Sequence, residues 1–151
     1  MKARAFSDAR PSTVMEALEA FASCGGDASY IAGGQSLVPA LAMRLQAPRS
    51  LIDIAHIAAL RGVALQGDRL RIGALTRHCE VLTDALIARH APLFREAAPH
   101  VAHPAIRNKG TIGGSVWLTA PAAEFPAMTL ALDPELEIAS RDGTRRVPAD
   151  A

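Results

Sequence analysis

Residues 30–54, YIAGGQSLVPALAMRLQAPRSLIDI, decide how the chain is organised. The apolar run 30–32 reads as a short buried strand and leads straight into Gly33-Gly34. Residues 38–46 read as a short helix, with Pro39 tolerated in its first turn. Residues 51–54, Leu-Ile-Asp-Ile, read as a second strand. A strand–loop–helix–strand unit of this kind is the usual start of a parallel α/β layer. Gly33 and Gly34 are free to take positive φ and would let successive backbone N–H groups point into one concavity. The following helix would aim its N-terminal N–H groups at the same place, with Gln35 and Ser36 adding side-chain donors. The spacing is neither G-x-G-x-x-G nor G-x-x-x-x-G-K-[ST]. From the residues alone the loop is either a tight turn or a phosphate cradle.

Upstream, Thr13 and Glu16 have the spacing of a capping box, and Val14, Ala17, Leu18 and Phe21 fall on one helical face. Gly25-Gly26 supplies a stop. Downstream the pattern changes. Residues 62–65 and 70–74 flank the turn Gln66-Gly67-Asp68 as a β-hairpin, and Thr76 is placed to cap a helix from Arg77. Residues 92–101 form a further helical stretch. Residues 107–115, RNKGTIGGS, make a second glycine-rich segment that precedes the apolar run Val116-Trp117-Leu118, read as a strand. A β-bulge or hairpin corner would also gather glycines here. Two such loops are better explained together, by a diphosphate-bearing ligand lying between two lobes. Residues 121–132 read as a helix interrupted by Pro126, and residues 135–140 and 145–147 as a closing hairpin. The expected domain organisation is a small α/β lobe over about residues 1–57 and an α+β lobe over about 58–151.

The totals limit the chemistry. Of 151 residues, 50% are hydrophobic, which is enough aliphatic material for a core, and 4% are aromatic, too few for a base-stacking nucleic-acid reader. A net charge of +1 offers no broad field for nucleic acid or acidic membrane. Cys24 and Cys79 are far apart and outside any CxxC, and the chain shows no signal peptide or membrane span. A cytoplasmic protein is expected. His78 beside Cys79, and His100 with His103 ahead of a helix-breaking Pro104, lack metal-ligand spacing and read as helix-end and packing residues. Arg107 and Lys109 suit either a solvated turn or a phosphate neighbourhood. No nucleophile–base pair stands out, as expected where a cofactor carries the chemistry.

The strings Ala32-Gly33-Gly34-Gln35-Ser36-Leu37 and Arg107-Asn108-Lys109-Gly110-Thr111-Ile112-Gly113-Gly114-Ser115 resemble the two flavin loops of the medium subunits of molybdenum hydroxylases, the xanthine dehydrogenase and carbon monoxide dehydrogenase type. Leu51-Ile52-Asp53-Ile54, Leu70-Arg71-Ile72-Gly73-Ala74-Leu75-Thr76, His100-Val101-Ala102-His103-Pro104 and Pro121-Ala122-Ala123-Glu124 match that family's landmarks in order, so the likeness covers essentially the whole chain. It implies an α+β (α/β) FAD-binding fold of the vanillyl-alcohol oxidase/p-cresol methylhydroxylase type, two lobes with the flavin between them. It implies that Ala32, Gly33, Gly34, Gln35, Ser36 and Leu37 wrap the FAD pyrophosphate and adenosine side. Thr111, Ile112, Gly113, Gly114 and Ser115 would contact the pyrophosphate and ribityl chain, and Glu124 would accept hydrogen bonds from cofactor hydroxyls. Val101 falls near a family position beside the isoalloxazine ring. Neither loop contains a His or Tyr for covalent attachment, so FAD is expected to be noncovalent. The implied role is to pass electrons from the iron–sulfur clusters of a small subunit, fed by a molybdopterin large subunit, to FAD and on to an acceptor. The chain departs from the family in carrying Leu118-Thr119-Ala120 where a His-Ala-Asp or Asn-Ala-Asp string is common, and family members run further at the C-terminus. The alternative expectation is a truncated, non-catalytic remnant of the FAD fold or an assembly module.

Overall fold

In the computed structural model, residues 2–150 are described. The chain is organised as two units, Met1–Ala59 and Leu60–Ala151. The first is built on a three-stranded parallel sheet in the order β1-β3-β2, with β1 at Ser7–Ala9, β2 at Ala28–Ile31 and β3 at Ser50–Asp53. Tyr30 sits opposite Ile52, and Asp8 opposite Leu51. β1 has no apolar alternation to announce it, and all its residues are exposed. It is an edge strand held by its backbone and by a 2.7 Å contact between the hydroxyls of Ser7 and Ser50.

Helix α1, Val14–Ser23, starts where the Thr13 hydroxyl accepts from the Glu16 N–H at 3.1 Å. The Glu16 carboxylate reaches one residue further back than a capping box requires, accepting from the Ser12 N–H and hydroxyl at 2.8 Å. These hydrogen bonds lower its pKa. Gly25 and Gly26, at φ +60° and +85°, carry the chain out of the helix. Helix α2, Leu37–Ala42, begins a residue earlier and ends sooner than its pattern predicts, because Arg44 takes φ +58° and turns the chain towards β3. Ala17, Leu41, Leu51, Ile52 and Ile57 are buried and form the core of this unit.

The second unit opens with the expected hairpin, β4 (Val63–Gln66) against β5 (Arg69–Ile72), turning through Gly67 at φ +64°. Thr76 does not cap the next helix. Its side chain is buried and donates to the Gly62 carbonyl at 3.2 Å, while helix α3, His78–Thr83, takes its cap from the Glu80 carboxylate, which accepts from the Arg77 N–H at 2.7 Å. Asp84 then caps helix α4, Ala85–His90, accepting from Leu86 and Ile87 N–H at 2.8 and 2.9 Å.

Helix α5, Pro92–Ala97, continues into a 3-10 turn at Ala98–His100. Pro104 starts helix α6, Pro104–Arg107, rather than breaking one, as the fixed φ of proline permits at a first helical position. Residues 115–118 belong to helix α7, Ile112–Leu118, not to a strand. Pro126 does not interrupt helix α8, Glu124–Leu132. It lies in the first turn, where a missing N–H breaks no helical bond. The closing hairpin is β6 (Glu135–Ser140) against β7 (Gly143–Pro148). Val81, Ile87, Ala91, Phe94, Ala98, Ile112 and Phe125 form one buried cluster beneath these helices.

Candidate functional site

The loop Ala32–Ser36 leaves the C-terminal end of β2, the end of a parallel sheet at which α/β folds bind ligands. Of its two glycines only Gly34 takes a positive φ, +71°. A Cβ there would lie 3.1 Å from Val38 Cγ2 and 3.4 Å from Ile31 Cδ1, so those side chains would have to give way by a few tenths of an ångström. The Gly34 carbonyl accepts from the Val38 N–H at 2.9 Å and the Gly33 carbonyl from Gln35 Nε2 at 3.0 Å, so the loop closes on its own carbonyls. Among the described residues, the N–H groups of Gly33, Gly34, Gln35 and Ser36 donate to no protein acceptor. Ser36 is exposed and its side chain makes no capping bond. A run of unspent backbone donors is what an anionic group needs. Beside it the unit has a cavity of about 430 Å³, lined by Ile31, Val38, Leu41 and Leu51. Its rim carries Arg10, 3.7 Å from the Asp8 carboxylate and 3.9 Å from that of Asp53.

The segment Thr111–Ser115 is built differently. Thr111 is the N-cap of α7, and its hydroxyl accepts from the Gly114 N–H at 3.2 Å. The Ile112 N–H donates to the Thr76 carbonyl at 2.9 Å and the Gly113 N–H to that of Ala74 at 2.8 Å. The Ser115 N–H donates to the Thr111 carbonyl at 3.1 Å. The first turn of α7 therefore spends its own donors. Its glycines answer to packing: a Cβ on Gly113 would fall 2.6 Å from Ala74 Cβ and 2.8 Å from its carbonyl oxygen, and one on Gly110 would fall 2.9 Å from the His78 ring. Thr111 and Ile112 are buried, Gly113 and Ser115 half-buried and Gly114 exposed. Of the segment, Gly114 is the exposed residue, and Ser115 is half-buried with its hydroxyl 3.2 Å from His78 Nε2.

His78 is the residue sequence reasoning left at a helix end. It is 3% exposed, packs its ring 4.7 Å from that of Phe125, and brings Nε2 to 3.2 Å from Ser115 Oγ. Burial lowers its pKa, opposed by a backbone hydrogen bond with Thr111 and the Glu124 carboxylate, while Arg107 adds to the lowering. The one signal in the sequence is Gly110, a glycine that is not at positive φ and so marks a close approach. Glu124 is half-buried in the first turn of α8, beside Phe125. Arg107 resolves as a structural cation. Its Nη1 donates to the carbonyls of Pro99, Val101 and Ala102 at 3.2, 2.8 and 2.9 Å, pinning the turn where Ala102 takes φ +42°. Val101 packs against the buried cluster. Among the described residues no group of three or more His, Cys, Asp or Glu is arranged to hold a metal ion, and no helix is long and apolar enough to cross a membrane.

Residues 4–151 match the family described as the FAD binding domain in molybdopterin dehydrogenase. The chain belongs to this family. It is 43% identical over 148 residues to the 6-hydroxypseudooxynicotine dehydrogenase complex subunit alpha of Paenarthrobacter nicotinovorans, covering 98% of this chain and 50% of that one. It is 37% identical over 140 residues to the carbon monoxide dehydrogenase medium chain of Hydrogenophaga pseudoflava, covering 93% and 49%. A solved structure of carbon monoxide dehydrogenase from the same organism, lacking the Mo-pyranopterin moiety, superposes with a TM-score of 0.97 at 36% identity, covering 99% of this chain and 52% of that one. Quinoline 2-oxidoreductase from Pseudomonas putida 86 superposes with a TM-score of 0.95 at 38% identity, again covering 99% and 52%. The mixed helix-and-strand architecture is that of these oxidoreductase chains. As a member of the FAD-binding family, the chain spans about half the length of the curated relatives it matches.

Proposed function

We propose that the chain holds FAD noncovalently and serves as the flavin part of a molybdenum-hydroxylase-type oxidoreductase. One observation supports this beyond family membership: among the described residues the N–H groups of Gly33, Gly34, Gln35 and Ser36 have no protein acceptor, in a loop that turns through Gly34 at φ +71°. That arrangement fits a pyrophosphate. In this reading Ala32–Leu37 hold the pyrophosphate and adenosine side. Gly114 and Ser115 make the direct contacts of the second segment, with Thr111, Ile112 and Gly113 as the frame that holds them out. Glu124 accepts from cofactor hydroxyls. The fold is read as the FAD-binding fold of the vanillyl-alcohol oxidase and p-cresol methylhydroxylase type.

The cofactor supplies the redox chemistry, and the chain binds and orients it. Several relatives carry names that make them the alpha subunit or medium chain of larger assemblies. On that basis the working complex is read as adding a small iron–sulfur subunit and a large molybdopterin subunit, in the cytoplasm. Electrons would enter from the clusters and leave to an acceptor.

The visible spectrum of the purified chain tests the central claim. About one FAD per chain, released intact on denaturation, is the expected result. A colourless protein that takes up no FAD on reconstitution overturns it and favours the non-catalytic remnant.

A further inference from the structure

His78 is almost wholly buried, yet one of its ring nitrogens has no partner. Nδ1 is a buried polar atom with no hydrogen bond among the described residues, and a Cβ on Gly110 would come to 3.0 Å from it. An N–H left without an acceptor is costlier than a bare lone pair, and orphaned buried N–H groups are correspondingly rare. Of the two neutral tautomers, the one with its lone pair on Nδ1 and its proton on Nε2 leaves no buried N–H without an acceptor of ordinary hydrogen-bond geometry, and its Nε2–H faces Ser115 Oγ at 3.2 Å. Phe125, with its ring 4.7 Å away and tilted by 54°, fixes the imidazole plane. Burial disfavours the charged form of the ring and lowers its pKa.

We propose that His78 is a positioning residue that donates from Nε2 to Ser115 Oγ and so turns the Ser115 hydroxyl proton outward as a donor to an acceptor oxygen in the pyrophosphate–ribityl part of the cofactor. A serine hydroxyl rotates freely when nothing fixes it, and one that accepts from a rigid N–H has its own proton directed elsewhere. Since the backbone donors of α7 are spent internally, this directed hydroxyl is what the second segment offers a phosphate or sugar oxygen. The inference rests on the FAD reading above and adds to it a residue outside both glycine strings.

Two measurements test it. Nitrogen-15 NMR of the imidazoles in the unliganded wild-type chain, with the His78 signal assigned by its loss in His78→Gln, should show Nε2 protonated and Nδ1 bare. FAD affinity, read by quenching of flavin fluorescence, should weaken roughly tenfold in Ser115→Ala, which removes a hydrogen bond to a charged or hydroxyl group. His78→Gln, whose amide nitrogen can take the place of Nε2–H, should stay within about threefold of wild type, while His78→Asn should fall as Ser115→Ala does. Combining His78→Asn with Ser115→Ala should bring little further loss. A ring protonated at Nδ1, or FAD affinity unchanged in Ser115→Ala or in a folded His78→Asn, overturns this proposal and leaves FAD binding standing. A wild-type chain that takes up no FAD overturns both.

Discussion

The two glycine segments look alike on paper and are opposites in space. Gly33-Gly34 opens a loop whose N–H groups have no acceptor among the described residues, whereas Gly113-Gly114 lies in a first helical turn whose N–H groups all donate within the protein. In the first segment a glycine is needed for its φ, at Gly34. In the second it is needed for its missing Cβ, where α7 rests against Ala74. A Gly-Gly pair therefore has two physical meanings, a conformation no other residue adopts cheaply or a distance no other residue allows.

The largest test of that contrast is Gly113→Ala. Its methyl would be forced into the Ala74 backbone, so overpacking should cost about 3 kcal/mol and lower the melting temperature by roughly 10 °C. Thermal unfolding by circular dichroism measures this. A variant as stable as wild type that has merely lost FAD would give the second segment the cradle role proposed for the first.

Gly34→Val should cost about 2 kcal/mol of folding energy, from a left-handed conformation and the crowding of Val38 and Ile31, yet abolish FAD binding. Equilibrium dialysis with FAD on the folded variant decides the matter, and normal binding would reduce the first loop to a turn.

The smallest effect is with pH. The first loop has no titratable side chain, whereas the second segment leans on His78, whose folded pKa lies below the ordinary 6.5 because burial disfavours its charged form. The stability this gives is complete above the unfolded value and is lost as pH falls through the folded one. Melting temperature should decline between pH 7 and 5, and less steeply in His78→Gln. Equal slopes in the two proteins would remove His78 as the cause.

How far the sequence could be read follows the same divide. Residues 28–53 were legible because the deciding signals are local: an apolar strand, a glycine stop, a proline near a helix start. α7 was misread because Val116-Trp117-Leu118 has strand-like composition and two glycines weaken a helix. What makes it helical is non-local, through the Thr111 cap, the bonds to Thr76 and Ala74 and the burial of Ile112. β1 was silent because an exposed edge strand needs only its backbone, and His78 because its partner is far along the chain. The candidate site was therefore half legible: the first loop as geometry, the second as a string whose residues are proposed to divide between frame and contact.

The helical reading of residues 112–118 leaves Trp117 88% exposed, close after Ser115 in the chain. It is the protein's single tryptophan. An indole emitting into water, on the helix proposed to contact a cofactor whose ring system absorbs at those wavelengths, makes the chain its own optical gauge. Occupancy of the cofactor site can then be followed by excitation transfer, with no label attached and no residue changed.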